Sequence, residues 1–437
     1  KPYAPLRSSD ATDAGIAFIH QELNLFTNLS VADNLYIHNF PRRGILIRQK
    51  EKIRKTQELM DELHMDITPG ELVGKLQPGE RQMVEIAKAL STGADIIIFD
   101  EPTTSLTSRE TKRLFDLLER LKKDGKTIIY ISHILKDIKS LCDRLVVLRD
   151  GELVDSGAAA DFDIDQMIAS MCGRDIKQLF PEFKRSCSGK VILKVDHMTQ
   201  KGVVKDIDFK LHSGEVLGLF GLMGSGRSEC ARLIFGLESF DTGEITVENT
   251  RFKSITPRES IQHKMAFVTE DRRAEGLLMD ASIEDNAVLV SLRSYGGKCG
   301  MINSRSMNDM LQKTIDSLHV KSSSLKQIVK HLSGGNQQKV VIGKWIPSDP
   351  RVFILDEPTR GIDIGAKFEI YSITSQLAVK GAGILLISSE LEELTGLCDR
   401  ILVMRQGRIV GEFPRHDFEE HHILQCAFGE KKRGDYE

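Results

Sequence analysis

The sequence predicts an α/β chain built from two copies of one domain in tandem. Three observations carry that expectation. First, "IIIFDEPTTSL" at 96–106 matches "VFILDEPTRGI" at 352–362, while "YISH" ahead of "LCDRLVVLRDGELV" matches "LISS" ahead of "LCDRILVMRQGRIV". The offset is constant: 332 − 76, 356 − 100 and 398 − 142 each give 256 for the pairs Leu76/Leu332, Asp100/Asp356 and Cys142/Cys398. Second, short β-branched runs ending at carboxylates or polar loops alternate with amphipathic helical patterns, the signature of a buried parallel sheet. Third, a glycine-rich loop, "GLMGSGRS" at 221–228, joins an apolar strand pattern to a helix pattern.

In chain order, the strand-like runs are Asp95 to Asp100 and Thr127 to Ser132 in copy one, and Glu215 to Phe220, Arg351 to Asp356 and Gly383 to Ser388 in copy two. "AFIHQE" at Ala17 and "AFVTED" at Ala266 lie 249 apart (266 − 17), so the copies differ there by seven residues, a length change that belongs in a surface loop. "EKIRKTQELMDELH" reads as an amphipathic helix with Ile53, Met60 and Leu63 on a core-facing stripe. These signals place copy one at 1–160, a polar linker ending in "KRSCSGK" at 161–190, and copy two at 191–437.

Composition narrows the class of molecule. The 437 residues are 28% charged with a net charge of −3, so no overall basic balance draws the chain to nucleic acid or an anionic membrane. Apolar runs such as "IIIF" and "GILLI" are far shorter than the ~20 residues of a membrane helix. Seven cysteines with no CxxC pair encode neither a disulfide framework nor a zinc site, and fit a reducing compartment.

The chemistry sits in three places. Gly221, Gly224, Ser225, Gly226, Arg227 and Ser228 fit GxxxxG[KR][ST], a loop whose backbone N–H groups wrap phosphate oxygens at a helix N-terminus. Arg227 stands where lysine is usual, a bulkier and planar cation. Ser228 is a candidate Mg²⁺ ligand, as is Asp356 at a strand end through a bound water. Glu357 beside it can orient or deprotonate an attacking water, and Asp100 and Glu101 repeat the pair. A tight turn explains the glycines alone, and a solvated cap explains adjacent acids alone. The repeat of "DEPT" in both copies favours the phosphate reading. In "HLSGGNQQK", Ser333 begins a helix whose Gly334 and Gly335 expose backbone, so hydroxyl, amides and helix dipole can together grip an anion.

With "LSGGN" as signature, "GLMGSGRS" as P-loop, "FDEP" and "LDEP" as Walker B and "YISH" carrying a switch histidine, the chain resembles the ATP-binding cassette (ABC) ATPases over nearly its whole length. The resemblance implies two cassettes of a P-loop NTPase core with a helical subdomain, ATP and Mg²⁺ as ligands, and two sites, each shared between the P-loop of one cassette and the signature of the other. One site would take Gln21, Asp100, Glu101 and His133 from copy one, with Ser333, Gly334, Gly335, Asn336 and Asp363 from copy two. There Gln21 would sense metal and water, Glu101 act as general base, and His133 touch the γ-phosphate. The other would take Gly221 to Ser228, Glu270, Asp356, Glu357 and Ser389, with "LQPGE" of copy one. It departs from the family pattern at Arg227, at Glu270 for glutamine, at Ser389 for histidine, and at Gln77-Pro78 for serine-glycine. The resemblance thus implies binding without turnover at that second site. Copy two's P-loop begins 49 residues ahead of Glu270 (270 − 221), which puts the counterpart ahead of Gln21 before residue 1. Copy one is therefore expected to be N-terminally incomplete, and the chain by itself to hydrolyse ATP poorly.

Within that family, "HQELNLFTNLSVADNLYI", "MCGRDIKQLFP", "EDRRAEGL" and "LSGGNQQKVVIGKW" are similar to the tandem ATPase subunits of bacterial ribose- and galactose-type importers. The likeness implies a peripheral subunit on the cytoplasmic face of the cell membrane. It would drive integral-membrane permease subunits and be served indirectly by an extracytoplasmic sugar-binding protein, with no nucleic acid partner. Glu22 to about Asn34 would carry the coupling groove, unless Phe26, Leu29 and Val31 are core. Two alternatives stay open: a soluble tandem cassette protein acting on ribosomes or DNA, and a nucleotide-binding regulator that does not turn over. Phe209, inside a strand pattern, is the one aromatic residue near the position where the family stacks adenine.

Overall fold

The computed structural model describes residues 4–20, 23–37, 40–44, 46–103, 106, 108–132, 134–149, 151–172, 180, 189–292 and 304–429. The chain divides into two compact units, Lys1–Arg174 and Asp175–Glu437. The division falls inside the stretch 161–190 that the sequence marks as linker. The helix Ile164–Cys172, within that stretch, packs on the last hairpin of the first unit, with Met167 buried.

The first unit carries strands β1 (Ile16–Ile19), β2 (Arg42–Arg43), β3 (Leu46–Ile47), β4 (Ile96–Asp100), β5 (Thr127–Ile131), β6 (Arg144–Arg149) and β7 (Glu152–Ala158). β1, β4 and β5 form a parallel sheet in that order, while β2–β3 and β6–β7 are antiparallel pairs. Ile19, Ile97 and Phe99 of the sheet share a core with Val84, Ile86 and Ala87 of the helix Pro78–Ser91 and with Leu114 of the helix Ser108–Lys123.

The second unit carries β8 (Val191–Gln200), β9 (Val204–His212), β10 (Val216–Gly221), β11 (Thr242–Val247), β12 (Thr250–Phe252), β13 (Met265–Val268), β14 (Val352–Asp356), β15 (Gly383–Ile387), β16 (Arg400–Arg405) and β17 (Arg408–Pro414). Its main sheet runs β13-β14-β15-β10-β16-β17, parallel except for the last strand. The antiparallel sheet β12-β11-β8-β9 shares its core, so β10, β14 and β15 are buried along their whole length. Burial on both faces is why these strands read as unbroken apolar runs instead of alternating ones.

By position in the repeat, β1-β4-β5 answers to β13-β14-β15 and β6-β7 to β16-β17. β10, which delivers the P-loop, lies between β15 and β16; among the described residues, no strand occupies that place in the first unit. The side chains facing it register the difference: Ile129 is 47% exposed while its counterpart Leu385 is 0% exposed. Ile131, Val146 and Leu148 are likewise exposed, whereas Ile387, Leu402 and Met404 are buried.

One expected stripe is corrected. On the helix Gln49–Glu62 the buried positions are Lys52, Thr56 and Met60, with Leu63 just beyond, and Ile53 is exposed. At about 100° per residue Ile53 sits on the margin of that stripe. Lys52 joins the buried stripe because its stem packs inward while the ammonium reaches Asp33.

Candidate functional site

β10 ends at Gly221 and the helix Arg227–Phe235 begins six residues later, so the loop between them turns within a short span. Gly221 has no room for a side chain: a Cβ there would stand 2.4 Å from the Met404 carbonyl oxygen and 2.5 Å from Ser225 Oγ. Gly224 and Gly226 have φ of +76° and +97°, backbone that L-residues with side chains rarely adopt. Ser225 Oγ is buried with no hydrogen-bond partner. A cramped glycine cradle with an orphaned hydroxyl, at a helix N-terminus, fits a phosphate group.

Behind the loop, Ser228 Oγ donates to Asp356 Oδ1 at 3.2 Å. Asp356 is almost fully buried, and burial pushes its carboxyl up to about 6. A hydroxyl and a desolvated carboxylate side by side fit Mg²⁺, which takes most of its remaining ligands from phosphates and water. No cluster of three or more His, Cys, Asp or Glu side chains that could hold a metal ion occurs among the described residues.

Arg227 turns away from the cradle. Its Nη1 donates to the Ser388 carbonyl at 2.8 Å and its Nη2 lies 3.4 Å from Glu357 Oε1, with both side chains about nine-tenths buried. Burial disfavours the charged forms of both partners, lowering Arg227 and raising Glu357. Ser389 Oγ donates to the second Glu357 oxygen at 3.1 Å. The carboxylate that would deprotonate water in this unit is thereby held by a guanidinium and a hydroxyl. Glu270, at the position of the expected glutamine, pairs with Arg360.

In the first unit Asp100 and Glu101 stand at the end of β4, and burial followed by the charge of Glu101 raises Asp100. Glu101 and Glu357 share a feature no sequence pattern announced: both have positive φ, +47° and +45°, with their amides bonded to Ile131 and Ile387 carbonyls. Gln21 and His133 lie outside the described residues.

The two signature segments differ more than their letters suggest. Ser333 caps the helix Gly334–Gly343, its Oγ accepting from Asn336 N at 3.4 Å and Asn336 Nδ2 at 2.9 Å. Asp363 caps the helix Ile364–Val379 through Ala366 N, and Ala366 Cβ fills the space a side chain on Gly335 would need. In copy one the Asn336 counterpart is Glu80, whose carboxylate accepts from Gln77 N at 2.8 Å. The Ala366 counterpart is Glu110, whose carboxylate oxygen lies 2.1 Å from the place of a Gly79 Cβ. Two carboxylates thus crowd the N-terminus of the helix Pro78–Ser91, and Pro78 contributes no N–H. Glu80 lies within the "LQPGE" segment already singled out by sequence, whereas Glu110 is found only through the register 256 residues away.

Two further devices repeat in the copies. Buried Glu393 accepts from Thr359, Ser388 and Tyr371 at 2.6 to 2.7 Å, tying the "EPT" loop to the loop of Ser389; Asp137 accepts from Thr103 at 3.1 Å in copy one. Buried Asn286 bonds both backbone groups of Leu278 and the Ser282 carbonyl, and buried Asn34 does the same for Phe26 and Ser30. Each holds one exposed apolar side chain, Phe26 or Leu278, just after the Gln21 or Glu270 position. Val31 is core and Leu29 half-buried. Phe209 is buried in β9, and it is the turn at Val203 that approaches the P-loop, its carbonyl 3.4 Å from a Gly226 Cβ.

The ABC transporter family model matches residues 3–104 and 204–360. The chain is 42% identical to the galactose/methyl galactoside import ATP-binding protein MglA of Salmonella typhimurium, across 96% of this chain and 83% of that protein. It is 41% identical to the ribose import ATP-binding protein RbsA of Geobacillus kaustophilus, across 96% and 85%. Matched in both halves by one family model, and aligned across most of the length of these import ATP-binding proteins, the chain belongs to the ABC transporter family, whose cassettes bind and hydrolyse ATP.

Proposed function

We propose that this chain powers monosaccharide import through a membrane permease and that its two ATP sites are unequal: the one using Glu101 turns over, the one using Arg227 and Glu357 binds nucleotide and holds it. The relatives' names supply the cargo class, ribose or galactose. No helix among the described residues is long and apolar enough to cross a membrane, so a permease would supply the path.

The observation that carries the unequal sites is where the charges lie. In the second unit the guanidinium of Arg227 rests on Glu357, which weakens that carboxylate as a base, and in the first unit Glu80 and Glu110 crowd the helix N-terminus that answers to the Ser333 turn. In the second unit the corresponding turn, Ser333, Gly334, Gly335 and Asn336, has no acid among its residues. Bound Mg²⁺ would neutralise charge on the β- and γ-phosphoryl oxygens. Glu101 would take the proton of an attacking water, and the amides of the Ser333 turn suit γ-phosphoryl oxygens. Phe26 and Leu278, held outward by Asn34 and Asn286, supply apolar contacts for the permease.

Single substitutions in the assembled importer test this. Glu101→Gln is expected to cut phosphate release and sugar uptake roughly 100-fold or more, and Glu357→Gln to leave both within about threefold. Equal losses from the two substitutions, or the reverse order, would refute the assignment.

A further inference from the structure

One guanidinium away from the P-loop joins three segments of the second unit. Arg272 opens the π-helical turn Arg272–Gly276, two residues beyond Glu270, and Asp271 caps that turn through Arg273 N and Ala274 N. Its Nη1 donates to the Arg360 carbonyl at 2.8 Å and its Nη2 to the Gly361 carbonyl at 3.1 Å. Nη2 also stands 2.8 Å from where a Cβ on Gly334 would lie, so the signature turn rests against the guanidinium and a side chain there would have to displace it. Arg360, whose carbonyl is held, returns its own side chain to Glu270.

Several unfavourable features meet here. Burial and the neighbouring Arg273 lower Arg272's hold on its proton, and Nε is buried without a partner. Gly361 has a φ of +63°, and the backbone carrying Arg272 is in the rare π form that recurs at functional sites. A surface cation would need none of these. What the arrangement secures is geometry: a planar fork fixes two successive carbonyls at once, which a point charge cannot do. Between Gln21 and Phe26, the copy-one counterparts of Glu270 and Leu278, stand Glu22, Leu23, Asn24 and Leu25 with no arginine, so the fork occurs only in the copy whose serine-glycine-glycine turn is intact.

We propose that Arg272 is a positioning residue that sets the 360–363 loop and the Ser333 turn in the spacing they need to engage ATP, and so links the segment after Glu270 to turnover. This rests on the reading that the Ser333 turn completes the hydrolysing site. Misplacing a phosphate-gripping turn by about 1 Å costs on the order of 100-fold in rate. Three variants in the assembled importer test it: Arg272→Ala, Arg272→Lys and Gly334→Ala, the last pushing against an intact guanidinium. Each is expected to lower kcat for ATP at least 10-fold with the KM within threefold, and lysine is expected to rescue little. In the nucleotide-free protein, hydrogen exchange in Arg272→Ala is expected to rise at least 10-fold at residues 334–337 and 361–366, and to stay unchanged in β14 and β15. A kcat within twofold of the parent overturns the proposal, and so does faster exchange spread through the whole unit, which would make Arg272 merely structural. If Glu101→Gln retains turnover, the two-site reading fails instead, and the exchange pattern still decides whether Arg272 holds the two segments.

Discussion

Asp356→Asn is expected to make the nucleotide-free second unit more stable while weakening its hold on Mg–ATP. Burial raises the Asp356 carboxyl from an ordinary 3.8 to about 6, so the folded state binds its proton more tightly than the unfolded chain does. Stability therefore falls as pH rises from about 3.8 to about 6, and the full loss persists above that. At about 1.4 kcal/mol per tenfold, the loss comes to about 3 kcal/mol. An asparagine keeps the acceptor for Ser228 Oγ and carries no charge. Its amide, lacking a partner, costs about 1 kcal/mol, leaving a net gain of about 2 kcal/mol at pH 7.5. For a unit of this size that is a rise of about 5 °C in Tm. The chain has one tryptophan, Trp345, buried in the second unit against Phe235, so its fluorescence on heating in EDTA reports that unit alone. At pH 5 about half the penalty has gone and the advantage should shrink to about 0.5 kcal/mol. A variant less stable than the parent at pH 7.5, or an advantage that does not shrink on acidification, would refute this account of Asp356.

Arg227→Ala should leave Glu357 buried without its cation and cost about 3 kcal/mol at pH 7.5 by the same fluorescence, less at pH 5, where Glu357 can take up a proton. Asn286→Ala removes three hydrogen bonds from a fully buried site and should lower the urea midpoint by the equivalent of about 3 kcal/mol; a loss below about 1 kcal/mol would show that Leu278 is held by other means. Phe26→Ala should change stability by less than about 0.5 kcal/mol, because the side chain is exposed, yet lower sugar uptake and co-purification of the permease. Glu80→Ala removes the cap on Gln77 and should speed hydrogen exchange in the first turn of the helix Pro78–Ser91, reflecting about 1 kcal/mol of lost local stability.

The duplication, the parallel strands and the phosphate loop were legible in the sequence because each leaves a local trace. Buried strands must be apolar along their length, as Val352–Asp356 and Gly383–Ile387 are, and a loop that wraps phosphate must have glycines where Gly221, Gly224 and Gly226 stand. The helix Gln49–Glu62 shows the limit of such traces. Its pattern named an apolar stripe, but a lysine lies within the buried stripe because Asp33, 19 residues earlier, is folded alongside it.

What the sequence determined by itself is the inventory: which acids, glycines and cations exist, and at what spacing in each copy. Tertiary structure alone decided which charges meet. It laid Arg227 on Glu357, 130 residues away (357 − 227), set Glu110 over Gly79, and aimed Arg272 at two carbonyls beyond residue 359. Hydrogen bonds and ion pairs act over a few ångströms, and only the packing of β1, β4 and β5 into one sheet in the first unit, and of β13, β14, β15 and β10 in the second, brings such distant residues within that range.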